Sequence, residues 1–409
     1  MVVHSYYPHD ETRVERQVGA LAKNGYHVDV VCLRDGDEPR VLDAANVTVY
    51  RLPVQRDKRR GALAQLLEYC AFLLLAAIQL TRLHLRARYD SVQVHNLPDF
   101  LVLAALVPRL TGSRVILDLH DLMPEFYCAR FGKTMKSMPV RLLIGQEQLA
   151  GRFAHHIITV TEPWRQTLIA RGVPPTKCSV VMNVADTQYF RSQQKTARAH
   201  AGGLSLIYHG TLTARYGIDL VLQAIAQLHN ELPDLRLTIH GRGEYYESVR
   251  ALINSLQLED RVNLRTGLLS SDDLAALIRA HDVGVVPYRR DIFTDGILPT
   301  KLMEYMALGI PSLVARTPGI SQYFDDTEVE FFTPEDINDL AQHLRILYRN
   351  PERREQLAQN TGKFNQKYNW TLQGERYVQL VKSLAKQSDK PGVEVSLAPE
   401  PLPHHPPAD

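Results

Sequence analysis

Around residue 300 the chain reads Asp295-Gly296-Ile297-Leu298-Pro299-Thr300-Lys301-Leu302-Met303-Glu304-Tyr305-Met306-Ala307-Leu308-Gly309-Ile310-Pro311. Pro299 is suited to open a helix, and Gly309 with Pro311 to close it and return to a strand. Lys301 and Glu304 stand three apart and share a face of the first turns. A cation and a carboxylate at a helix N-terminus above a sheet fit a nucleoside diphosphate, with Lys301 on phosphate and Glu304 on ribose hydroxyls. A solvent-facing ion pair between them accounts for the two charges equally well, though not for the Gly-Ile-Pro exit. A second segment, Gly210-Thr211-Leu212-Thr213-Ala214-Arg215-Tyr216-Gly217, follows an apolar run and leads into a helical period from about Ile218. Glycines there let backbone N–H groups approach a phosphate, and Arg215 adds a bidentate cation. Glycines at such a place also serve plain strand-to-helix turning.

The first half carries a different set. One strand-like run ends in His95-Asn96-Leu97-Pro98-Asp99, and another in Asp118-Leu119-His120-Asp121, with Glu125 shortly after. Imidazoles and carboxylates crowded at strand ends suit recognition of hydroxyl-rich ligands and proton handling near neutrality. Helix capping is the alternative, and it is the expectation for Asp99; His120 reads as functional, and His95 as either. No His pair has the i, i+4 spacing of a zinc-binding helix, and Asp35-Gly36-Asp37 runs into Glu38-Pro39 in a polar loop. No obligatory metal is expected. A phosphate leaving group must then be neutralised by the protein's own cations and helix ends.

These residues need a frame that gathers strand ends. Short Val/Ile/Leu runs alternate with helical periods along the whole 409 residues, the pattern of parallel sheets covered by helices. Strands are expected at 2–7, 28–33, 47–52, 91–95, 114–120, 156–161 and 179–183 in the first half. In the second they are expected at 205–209, 235–240, 262–266, 283–288 and 312–316. The polar stretch 186–203, with Gln193, Gln194, Lys195, Gly202 and Gly203, reads as a linker between two doubly wound domains. The expected division is a first domain at 1–185, the linker, a second domain at 204–366, and a C-terminal helix at 367–388 that packs back toward the first domain. The tail at 389–409 is too proline-rich and apolar-poor to pack. In such sheets ligands sit beyond the carboxyl ends of the strands, where helix N-termini favour anions.

The net charge of +2 conceals an asymmetry: the first 200 residues hold 26 Lys and Arg against 18 Asp and Glu, the remainder 21 against 27. A basic first half faces something anionic, whereas the modest excess and the lack of a stacking-aromatic pattern argue against nucleic acid. Arg51, Arg56, Lys58, Arg59 and Arg60 precede an apolar helix at 62–80, and Arg82, Arg86 and Arg88 follow it. That arrangement suits peripheral contact with an anionic membrane, or a buried helix with solvated ends. Gln65, Glu68 and Gln79 argue against its spanning a bilayer. The four cysteines lie far apart, and residues 1–8 enter a strand with no secretory leader, so a cytoplasmic protein with unpaired thiols is expected.

Taken together, these residues resemble the retaining glycosyltransferases of family 4, from Asp10-Glu11-Thr12-Arg13-Val14-Glu15-Arg16 through to Trp370. The resemblance implies the GT-B fold, two tandem Rossmann-like domains facing a cleft. It also implies a metal-independent hexosyltransferase that uses a UDP- or GDP-sugar, a co-substrate rather than a cofactor. The acceptor is a saccharide or lipid-linked saccharide in cell-surface or exopolysaccharide biosynthesis. Glu304 matches the second of the family's two glutamates, which holds the donor ribose. The first, eight places earlier, is replaced by Gly296, with Asp295 beside it, so backbone N–H groups around Gly296 are expected to supply sugar contacts. The family's phosphate-binding Arg/Lys pair is replaced by Thr211 and Tyr216, leaving Arg215 and Lys301 as the cations. His120 resembles the first-domain histidine that reaches the donor sugar or its diphosphate. The expected catalytic residues are His120 and Asp295; the donor residues are Gly210, Thr211, Arg215, Gly296, Lys301, Leu302 and Glu304. Arg13, His95 and Asp121 are the acceptor-side expectation. The rival readings are a nucleotide-sugar epimerase or phosphorylase on the same plan, and a binding subunit without turnover.

Overall fold

The computed structural model describes residues 1–8, 11–56, 61–186, 188–191 and 203–386. Asp10, Lys58, Arg59, Arg60, most of the expected linker and the proline-rich tail lie outside the described residues. Two compact units emerge. The first comprises Met1–Pro124, Lys136–Val181 and the chain from Gly374; the second comprises Glu125–Met135 and Met182–Gln373.

The elements that begin in the first half are β1 (Val2–Tyr6), α1 (Thr12–Lys23), β2 (Val28–Leu33), β3 (Val41–Ala44), β4 (Val47–Leu52), α2 (Ala62–Arg86), β5 (Ser91–His95), α3 (Leu106–Leu110), β6 (Arg114–Leu119), α4 (Met123–Phe131), α5 (Met138–Phe153), β7 (His156–Thr159), α6 (Glu162–Ala170) and β8 (Cys178–Val180). A 3-10 segment, Asp99–Ala105, leads into α3. The first unit's sheet runs β3-β4-β2-β1-β5-β6-β7-β8, parallel except for the antiparallel edge pair β3–β4. Its central strands are buried on both faces, as parallel strands covered by helices must be: Val92, Val94, Val115, Ile116, Leu117, Ile157 and Ile158 are all buried, as are Gln93, His95 and Asp118.

The second unit continues with β9 (Leu204–Thr211), α7 (Ile218–Gln227), β10 (Leu235–Arg242), α8 (Tyr246–Ser255), β11 (Val262–Arg265), α9 (Ser271–Arg279), β12 (Val283–Val286), α10 (Thr300–Leu308), β13 (Ser312–Ala315), α11 (Pro318–Ser321), β14 (Glu330–Phe332), α12 (Ile337–Arg349), α13 (Pro351–Lys367) and the start of α14 (Trp370–Lys386). Its sheet is wholly parallel, in the order β11-β10-β9-β12-β13-β14. The core gathers α7, buried almost all round, with the inward face of α12 at Leu340, Ala341, Leu344 and Leu347. From Gly374, α14 belongs to the first unit, where the Tyr377 hydroxyl donates to Gln93 Oε1 at 2.7 Å.

Two strands escape the sequence pattern. β3 is exposed along its length and leans on one neighbour through the turn at Ala45-Asn46. β14 is three residues long and begins with a glutamate. Neither is long enough to show a period. The basic run before α2 also departs from expectation. Arg51 turns inward to Glu38 at 2.9 Å, and Arg56 Nη1 donates to Ser5 Oγ at 3.2 Å while lying over the Tyr6 ring.

One close fit positions the second-unit site. A Cβ on Gly284 of β12 would stand 2.3 Å from the Tyr305 ring of α10, which is fully buried and donates its hydroxyl to Ile207 O. Gly284→Ala is therefore expected to cost about 1–3 kcal/mol through overpacking, read as a lower urea midpoint with an unchanged slope.

Candidate functional site

In the second unit, α10 starts after Pro299 and ends at Gly309, whose φ of 74° suits glycine. With Tyr305 packed into the Gly284 notch, Lys301 lies four residues earlier on the same inward face. Its side chain is 5% exposed, and its ammonium sits 3.7 Å from the Tyr208 ring centroid and 5.4 Å from those of Tyr216 and Tyr288. No hydrogen-bond acceptor meets Lys301 Nζ. Burial pushes this amine down to about 7, against the raising effect of Glu304. The ammonium is also close to the phosphate-type loop, since a Cβ on Gly210 would be 3.7 Å away. Glu304 instead meets His209 Nε2 at 3.1 Å, and the imidazole rests edge-on against Tyr305. The solvent-facing Lys301–Glu304 pair, the simpler alternative in the sequence, is therefore ruled out by burial and by these partners.

The loop after β9 is held by Arg289. Its guanidinium grips Asp219 at 2.9 and 2.6 Å and donates to Ala214 O, while its backbone N–H donates to Arg215 O. Gly217 closes the loop at φ 66°, and a side chain there would collide with Pro287 O. Arg215 reaches back over Phe126 and Phe293, 5.5 and 5.7 Å from their ring centroids, and its Nη1 is buried with no hydrogen-bond partner. Two cations with unused donors thus lie in the same unit as the glycine loop.

Other expected donor residues are placed differently. Leu302 is wholly buried, so its side chain packs in the core. The Gly296 N–H, expected to face a sugar, donates to Phe293 O at 3.1 Å, and the Asp295 N–H donates to Asp291 O. The Asp295 carboxylate is clasped by Arg290 at 2.8 Å. Thr211 ends β9 and is exposed, its carbonyl accepting from the Tyr208 hydroxyl.

In the first unit Asp118, near the end of β6, is a fully buried carboxylate. It accepts from Arg13 Nη2 at 2.9 Å and Nε at 3.2 Å, from Gln17 Nε2 at 2.8 Å and from Gln93 Nε2 at 3.1 Å. Although burial opposes the charge, Arg13 with His120 and His95 holds this carboxyl well below the usual range. His95 Nδ1 and His120 Nε2 are 3.0 Å apart, so one donates and the other accepts. Burial lowers both imidazoles, His120 to about 3, which keeps them neutral. This corrects the expectation that they titrate near neutrality. His120 remains 19% exposed, whereas His95 is fully buried.

Arg13, expected on the acceptor side, is buried, and its Nη1 donates to Val181 O at 2.7 Å. Asp99 does not cap a helix. It is buried, accepts from Asn96 Nδ2 at 3.1 Å, and is raised to about 6 by burial. Asn96 also donates to the Asp121 carbonyl and accepts from the His120 N–H, which ties the two strand ends together. Gln17, Gln93, Tyr377 and His209 were not singled out in the sequence. The available signal was a glutamine inside the apolar run of β5, and a second one four residues after Arg13 on one helical face.

His95, Asp118 and His120 bring three potential metal-ligand atoms within 4.8 Å of one another. The donor set does not suit a cation, because Asp118 Oδ2 already takes hydrogen bonds from Arg13, Gln17 and Gln93. A cation there would also stand beside the Arg13 guanidinium. These partners fit a fixed imidazole pair better than a metal centre.

Known proteins agree with this architecture. Residues 11–183 match the model of a glycosyl transferase 4-like domain, and residues 191–364 that of the glycosyl transferases group 1. The colanic acid biosynthesis glycosyltransferase WcaL of Salmonella typhimurium is 29% identical over 80% of this chain and 84% of its own length. A chitobiosyldiphosphodolichol beta-mannosyltransferase of Debaryomyces hansenii is 22% identical over 81% of this chain and 75% of its own. Among solved structures, the sucrose-phosphate synthase of Thermosynechococcus elongatus superposes with a TM-score of 0.76 at 18% identity, covering 94% of this chain and 98% of that one. HepE of Anabaena, solved with UDP, gives 0.65 at 16% identity over 93% and 99%. With both domain types in order and the GT-B architecture beneath them, the chain belongs to the glycosyltransferases, a 4-like domain followed by a group 1 domain.

Proposed function

We propose that this enzyme moves a hexose from a UDP- or GDP-sugar to a saccharide or lipid-linked saccharide acceptor, with retention and without a metal, in cell-surface or exopolysaccharide biosynthesis. The observation that carries the donor reading is Lys301: a buried ammonium with no acceptor, beside the glycine loop, needs an anion to complete it. Arg215, with an unused donor, supplies the second cation. Glu304, steadied by His209, holds the ribose hydroxyls. The relatives' names support the acceptor class, since one is named for colanic acid biosynthesis and another is a mannosyltransferase named for a chitobiosyl diphosphodolichol. Cys32, Cys70, Cys128 and Cys178 form no disulfide, which suits a reducing, cytoplasmic site of action.

In this mechanism the bond from the sugar's anomeric carbon to the β-phosphate oxygen breaks as the acceptor oxygen bonds to the same face. The released phosphate oxygen takes the acceptor's proton. Lys301 and Arg215 stabilise the charge that develops on the diphosphate. His120, neutral and oriented by His95, offers a hydrogen bond to the sugar or diphosphate rather than a positive charge. Asp295, clasped by Arg290, adjoins Gly296, which occupies the position of the family's first glutamate.

A panel of nucleotide sugars tested with EDTA present is expected to give one selective thermal shift and slow release of free nucleotide. Binding with no transfer to any acceptor would overturn the reading. Lys301→Met should weaken donor binding about 10–100-fold by removing a charge-assisted contact, and Glu304→Ala should also raise the donor KM. His120→Ala should lower kcat by ~10²-fold with a smaller change in KM.

The pH dependence follows from Lys301. A bound diphosphate raises its pKa above the free value of about 7, so binding takes up a proton at higher pH. Donor affinity is then full below pH 7 and falls as pH rises, by at most ~10-fold per unit. Titration calorimetry in buffers of different ionisation enthalpy should detect that proton, and Lys301→Met should flatten the profile.

A further inference from the structure

We infer that the outer face of α2, α3 and α5 docks the protein on the surface of an anionic lipid bilayer. The steps from β4 to β5, β5 to β6 and β6 to β7 all run the same way across the sheet, so right-handed crossovers put these helices on one side. Both α2 and α5 pack against the 3-10 segment that leads into α3. The outward stripe of α2 is apolar for about 33 Å: Leu63, Leu67, Leu74 and Leu85 are 72%, 63%, 62% and 72% exposed. Leu106 and Leu110 continue this surface on α3, and Leu142 and Leu149 on α5. Exposed leucines this numerous exceed the scattered ones of an ordinary solvated face.

The charges on these elements select the occupant. Their carboxylates all turn inward. Glu68 meets His4 at 3.1 Å with its side chain 8% exposed, Glu147 meets Arg171 at 2.9 Å, and Asp99 is buried. The outward charges among the described residues are Arg82 and Arg86 on α2 and Arg141 and Arg152 on α5. Leucines rimmed by arginines, with no exposed acid, match acyl chains beneath anionic headgroups. A second copy of the same face would set arginines against arginines. The helix does not span: it is long and apolar enough to cross a membrane, with a mean hydropathy of 1.8, yet Phe72, Ala76 and Leu80 on its other side are in the core.

Co-sedimentation of the full chain with extruded vesicles tests this surface separately from the transferase reading. Binding is expected to vesicles of phosphatidylcholine with 30% phosphatidylglycerol, and to be at least ~10-fold weaker to phosphatidylcholine alone. The triple substitution Leu63→Glu, Leu67→Glu, Leu74→Glu should abolish it while the thermal midpoint and the nucleotide-sugar shift persist. Cys70 lies exposed on the same stripe and the other three cysteines are buried, so a polarity-sensitive fluorophore on Cys70 should shift to the blue on docking even if the triple variant folds poorly. Equal binding to both vesicle types, no binding to either, or no fluorophore shift would overturn the inference. So would a dimer that dissociates in the triple variant without any vesicle binding, which would assign the face to a second copy.

Discussion

The way α10 lies on the second sheet governs how Lys301 and Glu304 are presented. Gly284 leaves a notch in β12 that the Tyr305 ring fills, and the Tyr305 hydroxyl is tied to Ile207 O. That contact fixes the rotation of the helix about its axis. Once Tyr305 faces inward, Lys301, one turn earlier, faces inward as well, and its ammonium is set over the Tyr208 ring. Glu304 is turned toward His209. A cation held in aromatic surroundings without a carboxylate loses hydration that ring faces restore only in part. The structure carries that cost where an anionic ligand can relieve it.

The first unit answers the problem of buried charge in the opposite way. Asp118 is saturated by one arginine and two glutamines, with Tyr377 closing the chain through Gln93. A satisfied network of this kind is rigid, because leaving any member unpaired costs the full desolvation of a polar group. The pair His95 and His120 sits on that rigid base as fixed neutral hydrogen-bonding groups. One unit thus holds its polar groups in place, and the other leaves Lys301 Nζ and Arg215 Nη1 without acceptors.

The two sides of α2 show the same division of labour at the surface. Phe72, Ala76 and Leu80 anchor the helix to the sheet, and Glu68 is spent on His4. What remains outward is leucine and arginine, which leaves the acyl–headgroup boundary of an anionic bilayer as the complementary environment. The basic residues before the helix contribute less than their number suggests, because Arg51 and Arg56 are committed to Glu38 and Ser5.

By itself the sequence determined the α/β architecture, since strand runs of Val, Ile and Leu and their alternation with helical periods depend only on local spacing. It missed β3 and β14 because an exposed edge and a three-residue strand carry no period. It also marked the segments that carry chemistry, from Gly210 to Gly217 and from Pro299 to Gly309, and the strand ends at His95 and His120. Which of those residues are free to act was decided only by tertiary structure. Arg13 and Lys301 read alike as cations in the chain, yet Arg13 is consumed by Asp118 and Val181 O, and Lys301 is left without a partner. Leu302 and Gly296 stand in the right motif but are spent on packing and on Phe293 O. Partner choice depends on contacts between residues as distant as Arg13 and Asp118, and no local pattern records which donors those contacts have already used.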